Sequence, residues 1–213
     1  MKEFKHLPIS DYIAQAASDS PTPGGGSVAS LVGALGAALG QMVYNLTHTK
    51  KSYLENDEMT KAAVRSDFNA LVRLQTDLAD LIDKDILAFN SFMDALSLPK
   101  STDEEKAIRR KAMADATVLA TQSPLETATK SFEVLQHLGS LSRYGHKNCI
   151  SDAGVAAYLA HAALKSAVMN VRINIPGLDD KEFAESAERA CVALLEDADK
   201  LTKEIEVIVY SRL

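Results

Sequence analysis

The segment from Asp57 to Leu96 constrains the fold most. Leu71, Leu74, Leu78, Leu81, Ile82, Phe89, Phe92 and Leu96 recur at intervals of three and four. That spacing draws one apolar stripe along a long α-helix and does not fit the period of two of a strand. Pro99 ends the segment. The stretch Thr102-Asp103-Glu104-Glu105 then has the form of a capping box and opens a further helix, which Pro124 is expected to interrupt or restart and Gly145 to close.

The other segments follow the same rule. A short helix is expected over about Pro8–Ser18. After the chain-breaking run Asp19-Ser20-Pro21-Thr22-Pro23-Gly24-Gly25-Gly26, a second helix should run from near Ser27 to Thr47. Ser151-Asp152 reads as the cap and first turn of a helix reaching Ile173. Asp179 with Glu182 should cap a last helix that runs to the end of the sequence. No segment alternates as a strand does, and no internal repeat is present. With connections this short, residues 1–213 are expected to form one all-α domain, an up-and-down bundle of long antiparallel helices.

The chain has 213 residues, is 46% hydrophobic and carries a formal net charge of −6. Such a chain can bury a substantial core and lacks the basic field that gathers nucleic acid or anionic lipid. Cys149 and Cys191 do not make a disulfide framework. The stretch Val28–Leu46 is apolar, but it contains Gln41 and Asn45 and is dominated by Ala and Gly, so a closely packed internal helix is expected rather than a membrane span. The N-terminus, MKEFKHLPISDY, has no apolar signal core, and a soluble cytoplasmic protein is expected.

Asp85 is the sharpest chemical signal. At about 100° per residue it falls on the stripe of Leu78, Leu81 and Phe89, while Asp83 lies about 200° away. A carboxylate on an apolar stripe is either paired with a cation from another helix or left with a shifted pKa, ready for acid–base work. Gly24, Gly25, Gly26 and Ser27 open a helix and offer free backbone N–H groups to an anion or polar ligand, or else form a plain flexible connection. The small residues Ala29, Gly33, Gly36 and Gly40 on one stripe require that a helix or a ligand approach the backbone closely. Left bare, the stripe would need a second copy of the chain to cover it.

Lys50 and Lys51 beyond the second helix suit either the helix C-terminus or an anionic ligand. Arg143, His146 and Lys147 form a second basic group beside Asn148, Ser151 and Asp152. Asn170 and Asn174 share a helix face and act as caps or as ligand contacts. The five histidines show no metal-ligand spacing, so no metal is expected.

Four blocks carry a resemblance: PTPGGGSVASLVGALGAALGQMVYNLT from Pro21, IDKDILAFNSFMDALSLPK from Ile82, SDAGVAA from Ser151 and NVRINI from Asn170. In order and spacing they resemble the cyclodeaminase domain of formiminotransferase-cyclodeaminase and its stand-alone bacterial relatives, including methenyltetrahydrofolate cyclohydrolases. The resemblance implies an intertwined helical homodimer that acts on one-carbon tetrahydrofolates without a metal or redox cofactor. It places the catalytic aspartate on Asp85, the second acid of the Asp-x-Asp pair. It implies substrate-lining roles for the Gly24–Ser27 loop, for Lys50 and Lys51 (which would meet the glutamate tail), and for the segment containing Ser151 and Asp152. The family's usual Gly-Asn pair is Gly145-His146 here. A non-catalytic helical scaffold is the alternative, and it would require an ion pair to hold Asp85.

Overall fold

A computed structural model describes residues 3–213. Its helices are α1 (Ile9–Ala16), α2 (Gly25–Thr47), α3 (Lys51–Leu54), α4 (Glu58–Ser97), α5 (Asp103–Tyr144), α6 (Ile150–Asn174) and α7 (Lys181–Tyr210), with short 3-10 turns at Phe4–His6, Lys147–Cys149 and Ile175–Gly177. No strand occurs among the described residues. The protein is an all-α bundle.

Capping chemistry sets most boundaries. Asp57 accepts the Thr60 N–H at 2.8 Å to start α4. Thr102 and Glu105 close the capping box of α5 reciprocally, at 3.2 and 3.0 Å. Other boundaries differ from expectation. Asp180, not Asp179, caps α7. Ser151 lies inside α6, whose first turn grows directly out of the preceding 3-10 turn. Gly25 and Gly26 belong to the first turn of α2 rather than to the loop.

Helix α2 runs through the middle of the bundle against α4, α5 and α6. Its small-residue stripe is spent inside the chain. A Cβ at Gly36 would stand 3.0 Å from the Ala156 carbonyl and 3.2 Å from the Ala160 N of α6, and one at Gly40 would meet Leu138 and Leu71 within 2.9 Å. Ala29 and Ala37 are fully buried. The stripe therefore does not need a second copy to cover it. Helix α2 is long and apolar enough to cross a bilayer, and a little over half of that apolar stretch is buried against neighbouring helices. The core joins α2 to Leu71, Leu74, Leu78 and Leu81 of α4, Leu135 and Leu138 of α5, and Leu164 and Val168 of α6.

Pro124 neither interrupts nor restarts α5, which is one continuous helix. Proline lacks the N–H that would bond the carbonyl four residues back, so the Ala120 carbonyl loses its partner. The Asn174 amide, at the end of α6, replaces that partner. Its Nδ2 donates to the Ala120 carbonyl at 2.7 Å and to the Asn170 carbonyl at 2.9 Å. A side chain from another helix thus satisfies the orphan group and keeps α5 whole.

Candidate active site

A cavity of about 350 Å³ opens where the N-terminus of α2 meets the middle of α4, α5 at Ala120 and the end of α6. That is the size of a small-molecule site. Gly24, Gly25 and Gly26 form one wall. Asp85, Phe89 and Phe92 form another, and Asn170 and Asn174 form the third. On α4 the stripe changes character here. Leu71 to Ile82 are buried in the core, whereas Phe89 and Phe92 are half-buried and line the cavity, with Asp85 at the transition.

The Asp85 carboxylate is packed against the Gly26 backbone. A Cβ at Gly26 would stand 2.1 Å from Oδ1 and 2.5 Å from Cγ, so no residue larger than glycine fits without moving the acid. The backbone φ of Gly26 is not positive, so this close approach, not backbone conformation, is what demands glycine. The first intrahelical bond of α2 runs from the Val28 N–H to the Gly24 carbonyl, leaving the N–H groups of Gly25, Gly26 and Ser27 without helical acceptors.

Burial pushes the Asp85 carboxyl above its ordinary value of 3.8, and the Ser27 backbone N–H acts in the opposite direction. No cation pairs with Asp85 among the described residues. The carboxyl is therefore desolvated and has no counter-ion, only one backbone hydrogen bond, and burial shifts the balance toward its neutral form. Asp83 points elsewhere and accepts the N–H of Phe4 at 2.6 Å, tying the N-terminal segment to α4.

Tyr12, which the pattern of the sequence did not single out, belongs to this region. It is the buried residue of α1, and its hydroxyl lies 2.9 Å from Ser27 Oγ. Burial raises the Tyr12 pKa, the Ser27 contact lowers it, and the charges of Asp85 and Asp83 raise it further, so the phenol keeps its proton. Ser27 itself is fully buried, bonding Tyr12 with its side chain and facing Asp85 with its N–H.

The two asparagines are partly committed. Asn170 donates to the Ser166 carbonyl at 2.9 Å and lies 3.3 Å from where a Gly25 Cβ would be. Among the described residues neither amide oxygen accepts a protein hydrogen bond, so both remain available to a ligand.

The structure does not bring the remaining sequence candidates to this cavity. Lys50 and Lys51 are exposed beyond the far end of α2, a 23-residue helix whose length separates them from Gly25 by roughly 35 Å. Arg143, His146, Ser151 and Asp152 gather at that same far end. There the His146 N–H donates to Thr47 Oγ1 at 2.8 Å, and His146 Nδ1 accepts from Asn148. These bonds hold the α5–α6 corner.

A family model described as formiminotransferase-cyclodeaminase matches residues 8–193. The chain belongs to the formiminotransferase-cyclodeaminase family. It is 40% identical over 205 residues to a methenyltetrahydrofolate cyclohydrolase of Methylorubrum extorquens, covering 96% of this chain and 97% of that protein. It is 34% identical over 191 residues to the formimidoyltransferase-cyclodeaminase of Gallus gallus, of whose length the match covers 35%. The fold matches the crystal structure of formiminotetrahydrofolate cyclodeaminase from Thermotoga maritima with a TM-score of 0.85 and 28% identity over 98% of each chain.

Proposed function

We propose that the protein is a one-carbon tetrahydrofolate enzyme that opens or forms the 5,10-methenyl bridge, with Asp85 moving the protons. The observation that carries this reading is the desolvated, unpaired Asp85 carboxyl set against Gly26 in a cavity of small-molecule size. A scaffold would need a cation to hold that acid, and none is in place among the described residues.

In the hydrolytic direction the Asp85 carboxylate takes a proton from water as the oxygen attacks the methenyl carbon between N5 and N10. The tetrahedral carbon that forms collapses when Asp85 returns the proton to N5, the C–N5 bond breaks and the remaining hydroxyl proton passes to solvent, leaving 10-formyltetrahydrofolate. In cyclodeamination N10 attacks the carbon of the protonated formimino group, and Asp85 takes the N10 proton and passes it to the amino nitrogen, which leaves as ammonia with the methenyl cation behind. Either reaction needs one group that both gives and takes a proton near neutral pH, and neither requires a redox carrier or a metal. The cavity binds the pterin through the free N–H groups of Gly25 and Gly26 and the amides of Asn170 and Asn174. Near-complete two-way coverage of a stand-alone cyclohydrolase supports hydrolysis as the main activity.

The reading includes a soluble cytoplasmic homodimer. Val28, Leu35 and Leu46 leave an exposed apolar line on the outer face of α2, which a second copy would bury. Antiparallel two-fold pairing of two α2 helices would set one copy's Lys50 and Lys51 beside the other's Gly24–Gly26. In that arrangement the lysines approach a substrate; within one chain they do not.

The test is the absorbance of methenyltetrahydrofolate followed with and without the protein, beside ammonia release from 5-formiminotetrahydrofolate. Acceleration of either reaction is expected. Acceleration of neither by folded protein would sink the reading.

A further inference from the structure

One peptide unit supports the Asp85 carboxyl, and side chains from two other helices tie it down at both ends. That unit joins Gly26 to Ser27. Its N–H faces the acid, whose carboxylate packs against the Gly26 backbone. Its carbonyl points the other way along α2 and accepts the Ser30 hydroxyl at 3.0 Å. Ser30 Oγ in turn lies 2.9 Å from Thr127 Oγ1 of α5. At the N–H end, the Tyr12 hydroxyl of α1 lies 2.9 Å from Ser27 Oγ.

These hydroxyls sit in the core. Ser27, Ser30, Thr127 and Tyr12 are all buried, and neither Tyr12 nor Thr127 lines the cavity. Ser30 and Thr127 each have an acceptor four residues back on their own helix, the Gly26 carbonyl for one and the Ser123 carbonyl for the other. Burial of the two hydroxyls is thereby satisfied within each helix. The contact between them is therefore a further tie, joining α2 to α5 one turn beyond Gly26.

We infer that Tyr12 and Thr127 are positioning residues for the proton transfers at Asp85, acting through the two ends of the Gly26–Ser27 peptide. The inference rests on the reading of Asp85 as the acid–base group. A carboxyl that takes a proton and then returns it must hold its place through both steps, and a misplacement of about 1 Å costs about 10² in rate. No cation holds Asp85 among the described residues, so the peptide it rests on sets its place. Hydroxyl donation to the Gly26 carbonyl also polarises the N–H at the other end of the same amide.

The experiment measures kcat and KM for methenyltetrahydrofolate on Tyr12→Phe, Thr127→Val and Thr127→Ser. Each is made alone and with Asp85→Asn, the slow Asp85→Asn proteins being assayed at high enzyme concentration. Thr121→Val is the control, because Thr121 is equally buried on α5 and gives its hydroxyl to the Thr117 carbonyl of its own helix at 2.8 Å. Ser30→Ala breaks the same tie from α2 and replaces Thr127→Val if circular dichroism shows that variant unfolded. Tyr12→Phe and Thr127→Val should each lower kcat about tenfold with KM within about twofold of wild type. Thr127→Ser keeps the hydroxyl and should recover most of the rate, and Thr121→Val should match wild type. In the Asp85→Asn background neither exchange should slow the residual turnover further, since no acid remains to be positioned. Wild-type kcat in either Tyr12→Phe or Thr127→Val would overturn the inference and leave the Asp85 reading standing. So would losses that persist undiminished in the Asp85→Asn background, or a loss that Thr127→Ser does not repair. Wild-type turnover by Asp85→Asn alone would remove the Asp85 reading and this inference with it.

Discussion

At the C-terminal end of α2, Thr47 accepts the His146 N–H, and the Arg212 guanidinium donates to the Ser142 and Gly145 carbonyls, at 2.5 and 2.6 Å. At the N-terminal end three first-turn N–H groups lack helical acceptors, Asp85 lacks a cation, and two amide oxygens accept nothing from the protein. Both ends are dense in polar groups. At one end the bonds of Thr47, His146 and Arg212 turn a corner, and at the other the Gly25 and Gly26 N–H groups and the amide oxygens stand free beside a cavity. A binding site is marked by polar capacity left unspent beside a cavity, and polar density alone does not mark it.

Exchanges at the two ends should therefore read out differently. Asp85→Asn keeps the size of the side chain but removes the titrating group, and kcat should fall by roughly 10²–10⁴. Asp83→Asn, whose carboxylate only ties down the N-terminal segment, should leave kcat within a few-fold of wild type. Steady-state turnover of the two variants checks this.

Gly26→Ala comes next. Its methyl would occupy the place of Asp85 Oδ1 and displace the acid, and a misplacement of that order costs about 10² in turnover. Melting should change little, because alanine favours the helix by about 1 kcal/mol. Gly139→Ala is the contrast, since its Cβ meets nothing within 4 Å: it should raise the melting temperature slightly and leave turnover alone.

At the far end, Thr47→Val leaves the half-buried His146 N–H without its acceptor. Denaturant titration should show a loss of about 1–3 kcal/mol, with turnover at permissive temperature held. A large kcat effect there would break the distinction between the two ends.

The smallest expected effect is a coupling. Asn174→Ala orphans the Ala120 carbonyl and should cost about 1–2 kcal/mol. In a Pro124→Ala background the restored N–H can serve that carbonyl, so Asn174→Ala should cost about 1 kcal/mol less. Additive stabilities in the double-mutant cycle would refute this account of the unbroken α5.

Much of the fold was legible in the sequence because helix stripes and caps are local signals, as Asp57, Thr102 and the Leu71–Leu81 stripe illustrate. Pro124 was misjudged because the group that rescues its orphan carbonyl comes from residue 174, beyond any local pattern. Asp85 was legible because an acid on an apolar stripe breaks a strong period. Gly25 and Gly26 were read as loop because their glycine character answers to Asn170 and Asp85, partners invisible in the local run. Arg143 to Asp152 attracted attention by density, and only the fold showed that they sit at the α5–α6 corner, away from the cavity. Tyr12 and Thr127 were missed because each gains meaning only from helices distant in sequence.

The central claim is that burial raises the Asp85 pKa above its ordinary value of 3.8 and that its proton is the one moved in catalysis. A raised folded-state pKa means that the folded chain binds this proton more tightly than the unfolded chain does. Stability is then lost as pH climbs from about 3.8 through the raised value, and Asp85→Asn escapes that loss. The most direct measurement is the pH dependence of kcat and melting temperature for wild type and Asp85→Asn together. We predict an acid limb in the wild-type kcat with an apparent pKa above 3.8 that is absent from the much slower variant. The variant should melt higher than wild type at neutral pH, with the difference vanishing below about pH 4. A variant that keeps wild-type turnover, or the same acid limb, and melts lower at neutral pH would contradict the account.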